Sequence, residues 1–153
     1  MDEITTNNEY GIDESFLSKY LTFSVGDEIY GIETQHIDDI QKIMPVTDLP
    51  GMPHYIKGVI NLRSKIVPVI DIRLRFGKES VEYNDRTCII VVDIDSMQVG
   101  IIVDTVVGVP NISEDDIMPP PRDLNHNDYV KGIGKLSVGV VLLLDCFKLI
   151  NDL

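Results

Sequence analysis

The sequence predicts an all-β fold built from small barrels. From Tyr20 onward the chain is dense in β-branched residues, and its short apolar runs are broken by Gly, Pro and Asp. There is little helical periodicity, and the sequence repeats itself once along its length. Short strands, frequent turns and the lack of amphipathic helices together favour barrels over other all-β architectures.

Seven segments have the composition of strands. Gly26-Asp27 separates the first two and Asp95-Ser96-Met97 separates the fifth and sixth, as expected for tight hairpins. The predicted strands are Tyr20–Val25, Glu28–Glu33, Val59–Leu62, Ile66–Ile72, Cys88–Ile94, Gln98–Asp104 and Ser137–Leu144.

The remaining segments are less regular. Residues 1–18 carry five acids and no periodic apolar pattern, which predicts a flexible acidic tail ahead of one domain spanning 19–153. Residues 36–43 have isoleucines at every third position and fit either one helical turn or an irregular strand. The consecutive prolines 119–121 predict a loop, and residues 144–150 predict a short C-terminal helix.

An internal repeat relates the two halves of the chain. Tyr55–Asp71 aligns with Tyr129–Asp145 at an offset of 74, and Phe23–Ile32 aligns with Val92–Ile101 at an offset of 69. Each half is too small for a comfortable core of its own, so we expect the halves to pack across an apolar seam. Pro68, in the middle of a predicted strand, indicates an edge or a bulge.

The composition limits the classes of partner. The 153 residues are 44% hydrophobic and 25% charged, with a net charge of −12, which argues against nucleic acid and anionic membranes as partners. The longest apolar run has seven residues, far short of a membrane span, and the N-terminus lacks the pattern of a secretion signal. We expect a soluble, cytoplasmic protein.

The positive charge is concentrated in one segment. Six of the 13 basic residues and a single acid lie between Lys57 and Lys78. This segment is either a solvated face or a patch that steers an acidic protein partner. Within it, Arg63 lies in a polar tip between two strands, where it is either an anchor for a partner or a solvated turn residue.

No motif supports catalysis or a cofactor. His36, His54 and His126 lie in separate segments without the spacing of a metal site or a catalytic triad, and no phosphate-binding glycine motif is present. Asp93 and Asp95 fit the start of a turn better than a site for a divalent cation. The two cysteines, in apolar runs, are expected to be core residues. We therefore expect no enzyme activity, no metal and no cofactor.

Several motifs resemble the CheW family of bacterial chemotaxis coupling proteins. These are YGI with IDDI, YIKGVINLRSKIVPVIDIRLRFG, YNDRTCIIVV, VGIIVDTV, and VKGIGKL with VLLLD, which together run from about Tyr20 to Ile150. The resemblance implies two five-stranded SH3-like barrels packed about an apolar seam. It also implies a non-catalytic adaptor that couples the cytoplasmic tips of methyl-accepting chemoreceptors to the regulatory domain of the histidine kinase CheA. The expected location is the cytoplasm, at membrane-associated receptor arrays, without membrane insertion.

The resemblance also assigns two sets of binding residues. The kinase-binding positions match Ile37, Asp39 and Gly58. The receptor-binding positions match Arg63, Thr87, Cys88 and Val106. The sequence departs from the family at Ser64, where Gly is usual; a turn with positive φ would strain Ser there.

Two other functions are alternatives from different classes. A small-ligand or oligomer-binding barrel of the OB type would need aromatic platforms on one strand face, yet the six Tyr and four Phe are scattered. A metal-dependent hydrolase would have to use Asp93 and Asp95.

Overall fold

Strands dominate the described part of the chain, which in this computed structural model comprises residues 17–121, 128–137 and 139–151. Two short helices follow strands at equivalent places in the two halves: α1 (Ile72–Arg75) and α2 (Cys146–Leu149). The strands are β1 (Leu17–Val25), β2 (Glu28–Glu33), β3 (Ile37–Lys42), β4 (Ile56–Leu62), β5 (Lys65–Asp71), β6 (Cys88–Ile94), β7 (Met97–Val103), β8 (Thr105–Gly108), β9 (Asn111–Ser113), β10 (Ile117–Met118), β11 (Val130–Leu136) and β12 (Gly139–Leu144).

The strands form two sheets, and each closes into a barrel. The first barrel has five strands in the order β3-β6-β7-β5-β4, and a bridge between Thr47 and Val59 joins the chain after β3 to β4. The second has seven strands in the order β10-β11-β12-β2-β1-β8, with β9 also paired to β1. Because β9 leads into β10, this sheet closes as well. The all-β, two-barrel prediction is confirmed, although the second sheet has two more strands than expected.

Each barrel combines strands from both halves of the repeat. The first barrel contains β3, β4 and β5 from the first half but takes the β6–β7 hairpin from the second. The second barrel contains β8 to β12 but takes the β1–β2 hairpin from the first half. The halves have therefore exchanged their leading hairpins. The repeat alone did not indicate this exchange.

Strand register confirms the repeat. Gly58 lies opposite Val69 in the β4–β5 hairpin, and Gly132 lies opposite Leu143 in β11–β12, with a register shift just before each glycine. At the end of each hairpin an aspartate caps a helix: the Asp71 carboxylate accepts from the Arg73 amide, and Asp145 accepts from the Phe147 and Lys148 amides. At the offset of 74 residues, the strands, the register shift and the helix-capping aspartate of the first hairpin therefore all have equivalents in the second.

The largest apolar cluster occupies the seam between the barrels. The sequence of strand β6 is a continuous apolar run because both faces of the strand are buried. Ile89 and Val91 point into the first barrel, whereas Ile90 and Val92 point into the seam. All four are fully buried. Strands buried on both faces lose the usual alternation of polar and apolar residues.

Arg75 ties the two helices together at the seam. Its guanidinium carbon lies 4.3 Å from the ring centre of Tyr55 and 4.9 Å from that of Tyr129, which are equivalent residues of the repeat. Its Nε donates to the Leu149 carbonyl oxygen at 2.8 Å. Stacking on two rings suits a planar guanidinium and holds α2 against the first half.

The structure refines several predicted elements. Strand β1 begins at Leu17, so residues 17 and 18 pair with β9 instead of belonging to the tail, whose residues 1–16 lie outside the described part. The ambiguous segment 36–43 is strand β3 preceded by a single 3-10 turn. Prolines 119–121 lie outside regular structure, and the rest of that predicted loop is not described. Strands β8, β9 and β10, each of two to four residues, were not predicted, and neither was the seven-residue strand β11, although the repeat relates it to β4.

Pro68 lies at a local strand edge, as its lack of an amide hydrogen requires. The parallel pairing of β5 with β7 begins at Val69, one residue after the proline. In the second half, Leu142 occupies the equivalent position and pairs with Tyr30 on β2. The parallel pairing of the first barrel therefore starts one residue later than its equivalent in the second barrel, and it continues to Asp71.

Neither half of the chain is expected to fold alone, because each barrel needs a hairpin from the other half. Expressed separately, fragments 1–77 and 78–153 should give unfolded circular dichroism spectra, and an equimolar mixture should recover β-sheet signal. The intact chain, as the control, should unfold in one transition by two independent probes. Cooperative unfolding of an isolated half would contradict this expectation.

Candidate binding surfaces

Arg63 and Ser64 form the two-residue turn between β4 and β5. Both have positive φ, 51° and 71°, the pattern of a type I′ hairpin turn. The Ser64 amide donates to the Asn61 side-chain oxygen at 3.1 Å. Ser64 therefore occupies the left-handed conformation that a glycine adopts freely, and the resulting strain is about 1 kcal/mol.

Arg63 forms an ion pair with Asp39, which joins residues expected in two different sites. The distance from Arg63 Nη2 to Asp39 Oδ2 is 2.8 Å. The Asp39 carboxylate also accepts from the Gln41 side chain at 2.9 Å and from the Ile40 amide at 2.8 Å. Hydrogen bonding from Gln41, with smaller contributions from Ile40 and Arg63, holds the pKa of Asp39 below its usual value.

The ion pair is asymmetric in exposure. The Arg63 side chain is 72% exposed, whereas that of Asp39 is 18% exposed. An ion pair so open to solvent adds little to stability. Its effect is to hold the guanidinium over one edge of the first barrel while most of its donors remain accessible to a partner.

Ile37 and Asp39 lie two residues apart on β3 but do not share one face of the strand. The register of β3 on β6 shifts between them, so that Ile37 lies opposite Val92 and Asp39 lies opposite Val91. Val92 points into the seam and Val91 into the barrel. The extra residue of the β-bulge, Asp38, reverses the alternation. Ile37 accordingly packs on the seam, and Asp39 turns toward the Arg63 turn.

Gly58 is buried and therefore does not itself present a surface to a partner. Its φ is +147°, and a Cβ atom there would lie 1.9 Å from the carbonyl oxygen of Thr47. The close approach predicted at this position is thus made by the protein's own backbone. It allows the bridge between Thr47 and Val59 that closes the first barrel.

The other expected receptor residues lie apart from Arg63. Thr87 is only 4% exposed, and its hydroxyl accepts from the Asn84 amide at 2.9 Å. Cys88 pairs with Lys42 at the far end of β3 from the Asp39 region. Val106 lies on β8 opposite Phe23 and packs partly on the seam. Thr87 therefore supports this region from beneath, whereas Cys88 and Val106 are partly exposed.

A cavity of about 340 Å³ adjoins these residues. Thr87, Thr105 and Ser24 are among its lining residues. A bidentate ion pair crosses it: Arg73 Nε donates to Asp104 Oδ1 at 3.0 Å, and Arg73 Nη2 donates to Asp104 Oδ2 at 2.5 Å. The sequence patterns did not identify this pair, because its members lie 31 residues apart on different elements.

Asp104 links both barrels. Its Oδ2 also accepts from the Gly26 amide in the β1–β2 turn at 2.8 Å. Burial opposes ionisation of this carboxyl, but the hydrogen bonds from Arg73 and Gly26 overcome that effect and hold its pKa below its usual value. The charged form of Asp104 therefore connects α1 to the hairpin that the first half contributes to the second barrel.

Ile37 and Val106 are equivalent positions of the repeat. Val106 lies opposite Phe23 on β1, as Ile37 lies opposite Val92 on β6, with an offset of 69 in both cases. A register shift accompanies each pair. Extending the sequence repeat beyond Ile32 would have predicted this equivalence. One residue of each expected binding set therefore occupies the same structural position in the two copies of the repeat.

The other candidate residues do not form a chemical site. Asp95 and Ser96 have φ of 53° and 68° and make the β6–β7 turn, which favours the turn interpretation. His36 contacts the Phe147 ring and His54 contacts the Tyr55 ring, while residue 126 lies outside the described part. Within residues 17–121, 128–137 and 139–151, no three metal-binding side chains cluster. In the same segments, no helix has the length and hydrophobicity to cross a membrane.

Comparison with known proteins identifies the family. The family model described as "CheW-like domain" matches residues 19–153. The chain belongs to the CheW-like family. "Chemotaxis protein CheW" of Klebsiella aerogenes is 35% identical over 141 residues, covering 91% of this chain and 85% of the relative. The Bacillus subtilis protein of the same name is 37% identical over 112 residues, covering 73% of this chain and 72% of the relative.

A solved CheW structure has the same fold. The crystal structure of "scaffolding protein TtCheW" from Thermoanaerobacter tengcongensis is similar to this chain with a TM-score of 0.79 and 35% sequence identity. The similarity covers 84% of this chain and 88% of that one. The family and the two-barrel architecture inferred from the sequence are therefore confirmed.

Replacing Gly58 with Ala should destabilise this CheW-like chain markedly. The added methyl group meets the Thr47 carbonyl, and the positive φ adds strain, so we expect a loss of about 2–4 kcal/mol in the free energy of unfolding. Gly139→Ala is the matched control, since Gly139 has φ +135° and no atom within 4 Å of its Cβ position. Denaturant titration measures both variants. Similar losses of unfolding free energy in the two variants would show that the clash with Thr47 contributes nothing to the effect of Gly58→Ala.

Asp104→Asn should lower the free energy of unfolding at neutral pH and make that free energy less sensitive to acidification. Because folding lowers the pKa of Asp104, its contribution is present above its unfolded pKa of about 4 and is lost as pH falls through the folded value. We expect the variant to lose about 1–3 kcal/mol at pH 7, with the difference from wild type shrinking on acidification. Urea titration from pH 7 to pH 3 tests this, with the exposed Asp85→Asn as control. A difference independent of pH would contradict the assignment.

Proposed function

We propose that this chain is a non-catalytic chemotaxis adaptor that couples chemoreceptor tips to the regulatory domain of the histidine kinase CheA. The observation that carries the proposal is membership of the CheW-like family across residues 19–153. It is supported by the similarity to a crystal structure described as that of a scaffolding protein. Such an adaptor acts by binding, in the cytoplasm at membrane-associated receptor arrays.

The architecture suits an adaptor because it holds two surfaces in one rigid body. Ile37 and Val106 occupy equivalent positions on opposite barrels, and the shared seam fixes the barrels relative to one another. A partner bound at either surface is therefore held in a defined orientation to a partner bound at the other. Preorganisation of this kind lowers the entropic cost of assembling a ternary complex.

The kinase surface is proposed around Ile37 and Asp39. Ile37 is partly exposed at the rim of the seam, where it offers an apolar anchor, and Asp39 adds a carboxylate beside it. Gly58 contributes indirectly, since its lack of a side chain permits the barrel closure at Thr47 beneath this region. An apolar pocket rimmed by a basic residue on the kinase would complement this surface.

The receptor contacts are proposed at Arg63 and, apart from it, at Cys88 and Val106. Arg63 carries an exposed guanidinium that Asp39 orients, and bidentate donation to a partner carboxylate is its characteristic chemistry. Thr87 holds the start of β6 in place through its contact with Asn84. The basic residues near Arg63 in sequence would chiefly raise the association rate.

Separate substitutions should distinguish the two surfaces. We expect Ile37→Ala to weaken binding to the isolated CheA regulatory domain by about 1–3 kcal/mol, because it removes an apolar anchor. We expect Arg63→Ala to weaken binding to a receptor-tip fragment by about 1–2 kcal/mol, with Arg63→Lys recovering only part of the loss. Isothermal titration of each variant against each partner measures the effects.

Asp39→Asn tests the ion pair by its effect on receptor affinity, since Asp39 itself belongs to the proposed kinase surface. It keeps the side-chain shape but removes the charge that orients Arg63, so its effect on receptor affinity should have the same sign as that of Arg63→Ala and be smaller. Unchanged circular dichroism is required of every variant. Equal loss toward both partners in Arg63→Ala would mean that the turn merely supports the barrel, and failure of the wild-type chain to bind either partner would refute the proposal.

A further inference from the structure

Helix α2 presents an aromatic side chain to solvent. Phe147 is 50% exposed, although Cys146 and Leu149 on the same helix are buried in the seam. The described contact of the Phe147 ring is the edge of the His36 ring, with 6.1 Å between ring centres. His36 immediately precedes Ile37, the apolar anchor of the proposed kinase surface. The exposed aromatic is therefore continuous with that surface.

In the first half of the molecule, an ion pair occupies the position that is equivalent to Phe147. At the offset of 74, Phe147 corresponds to Arg73, which closes against Asp104 in a bidentate ion pair. At the offset of 69, Asp104 corresponds to Gln35, whose amide donates to Glu33 at 3.2 Å. The second half thus lacks the ion pair and leaves an apolar ring at the same place.

Lys148 follows Phe147 in the chain, and the Asp145 carboxylate that caps the same helix accepts from the Phe147 and Lys148 amides. Lys148 is exposed, and its ammonium group has no hydrogen bond or ion pair within the described segments of the chain. The nearby Glu33 carboxylate is engaged by Lys131. An apolar ring next to an exposed cation that is unpaired among the described residues is complementary to an apolar pocket with a carboxylate at its rim.

We propose that the kinase-binding surface extends from Ile37 across His36 to Phe147 and Lys148 on α2. The occupant is the regulatory domain of the histidine kinase, which would receive the Phe147 ring in an apolar pocket and pair a carboxylate with Lys148. This inference rests on the proposed function and adds the C-terminal helix to its kinase contact. Large aromatic side chains that become buried at an interface typically contribute much of its binding energy.

Titration of full-length variants with the purified CheA regulatory domain tests the inference. Phe147→Ser should weaken binding about tenfold, as expected on loss of an aromatic anchor. Lys148→Glu should weaken binding about threefold or more, whereas Lys148→Arg should bind like wild type. Val81→Ser is the matched control, since Val81 is an exposed apolar residue beside the receptor-side cavity, and it should leave kinase affinity unchanged.

Ile37→Ala in the same series separates failure of the inference from failure of the proposed function. Loss of affinity in Ile37→Ala with wild-type affinity in Phe147→Ser would overturn the extension to α2 and leave the kinase contact standing. Wild-type affinity in both would refute the kinase contact at this surface. If Phe147→Ser lowers the melting temperature, Lys148→Glu decides the matter, because its exposed side chain makes no described contact that folding depends on.

Discussion

The exchange of hairpins between the two halves is the constraint on which the rest of the structure depends. A barrel that needs strands from both halves cannot move independently of its neighbour, since the connections from β2 to β3 and from β7 to β8 cross the seam. The strands that cross are buried on both faces, which accounts for the fully apolar run of Ile89 to Val92. The rigid spacing of the two candidate surfaces follows from this interlocking more than from any single contact.

Divergence between the two copies of the repeat places different side chains at equivalent positions. The same backbone position carries Ile37 in one copy and Val106 in the other, and the same helix position carries Arg73 or Phe147. Arg73 is satisfied internally by Asp104, whereas Phe147 keeps half its surface in water. Of the two equivalent helix positions, one therefore carries an internal ion pair and the other carries a half-exposed aromatic ring. Partners of different chemistry can be distinguished without any change of fold.

The fold was largely predictable from the sequence, whereas the contacts at the candidate surfaces were not. Strands 28–33 and 88–94 were predicted to the residue because turns bound both of them. The hairpin exchange was missed, since a repeat specifies which residues are equivalent and not which strands pair. Alternation failed at Asp38, where a bulge reverses the side chains that follow. The Arg63–Asp39 ion pair joins residues that the family resemblance implies bind different partners.

The parallel pairing of β2 with β12 has a consequence for synthesis of the chain on the ribosome. Tyr30 and Gly31 hydrogen-bond along a strand that contains Leu142 and Leu143, more than a hundred residues later. The leading hairpin therefore keeps this edge unpaired until residues 142 and 143 have left the exit tunnel. Strand edges exposed during that interval are open to pairing with other chains. Rapid synthesis up to Leu143, or a chaperone that covers the open edge, would reduce the exposure of this edge to other chains.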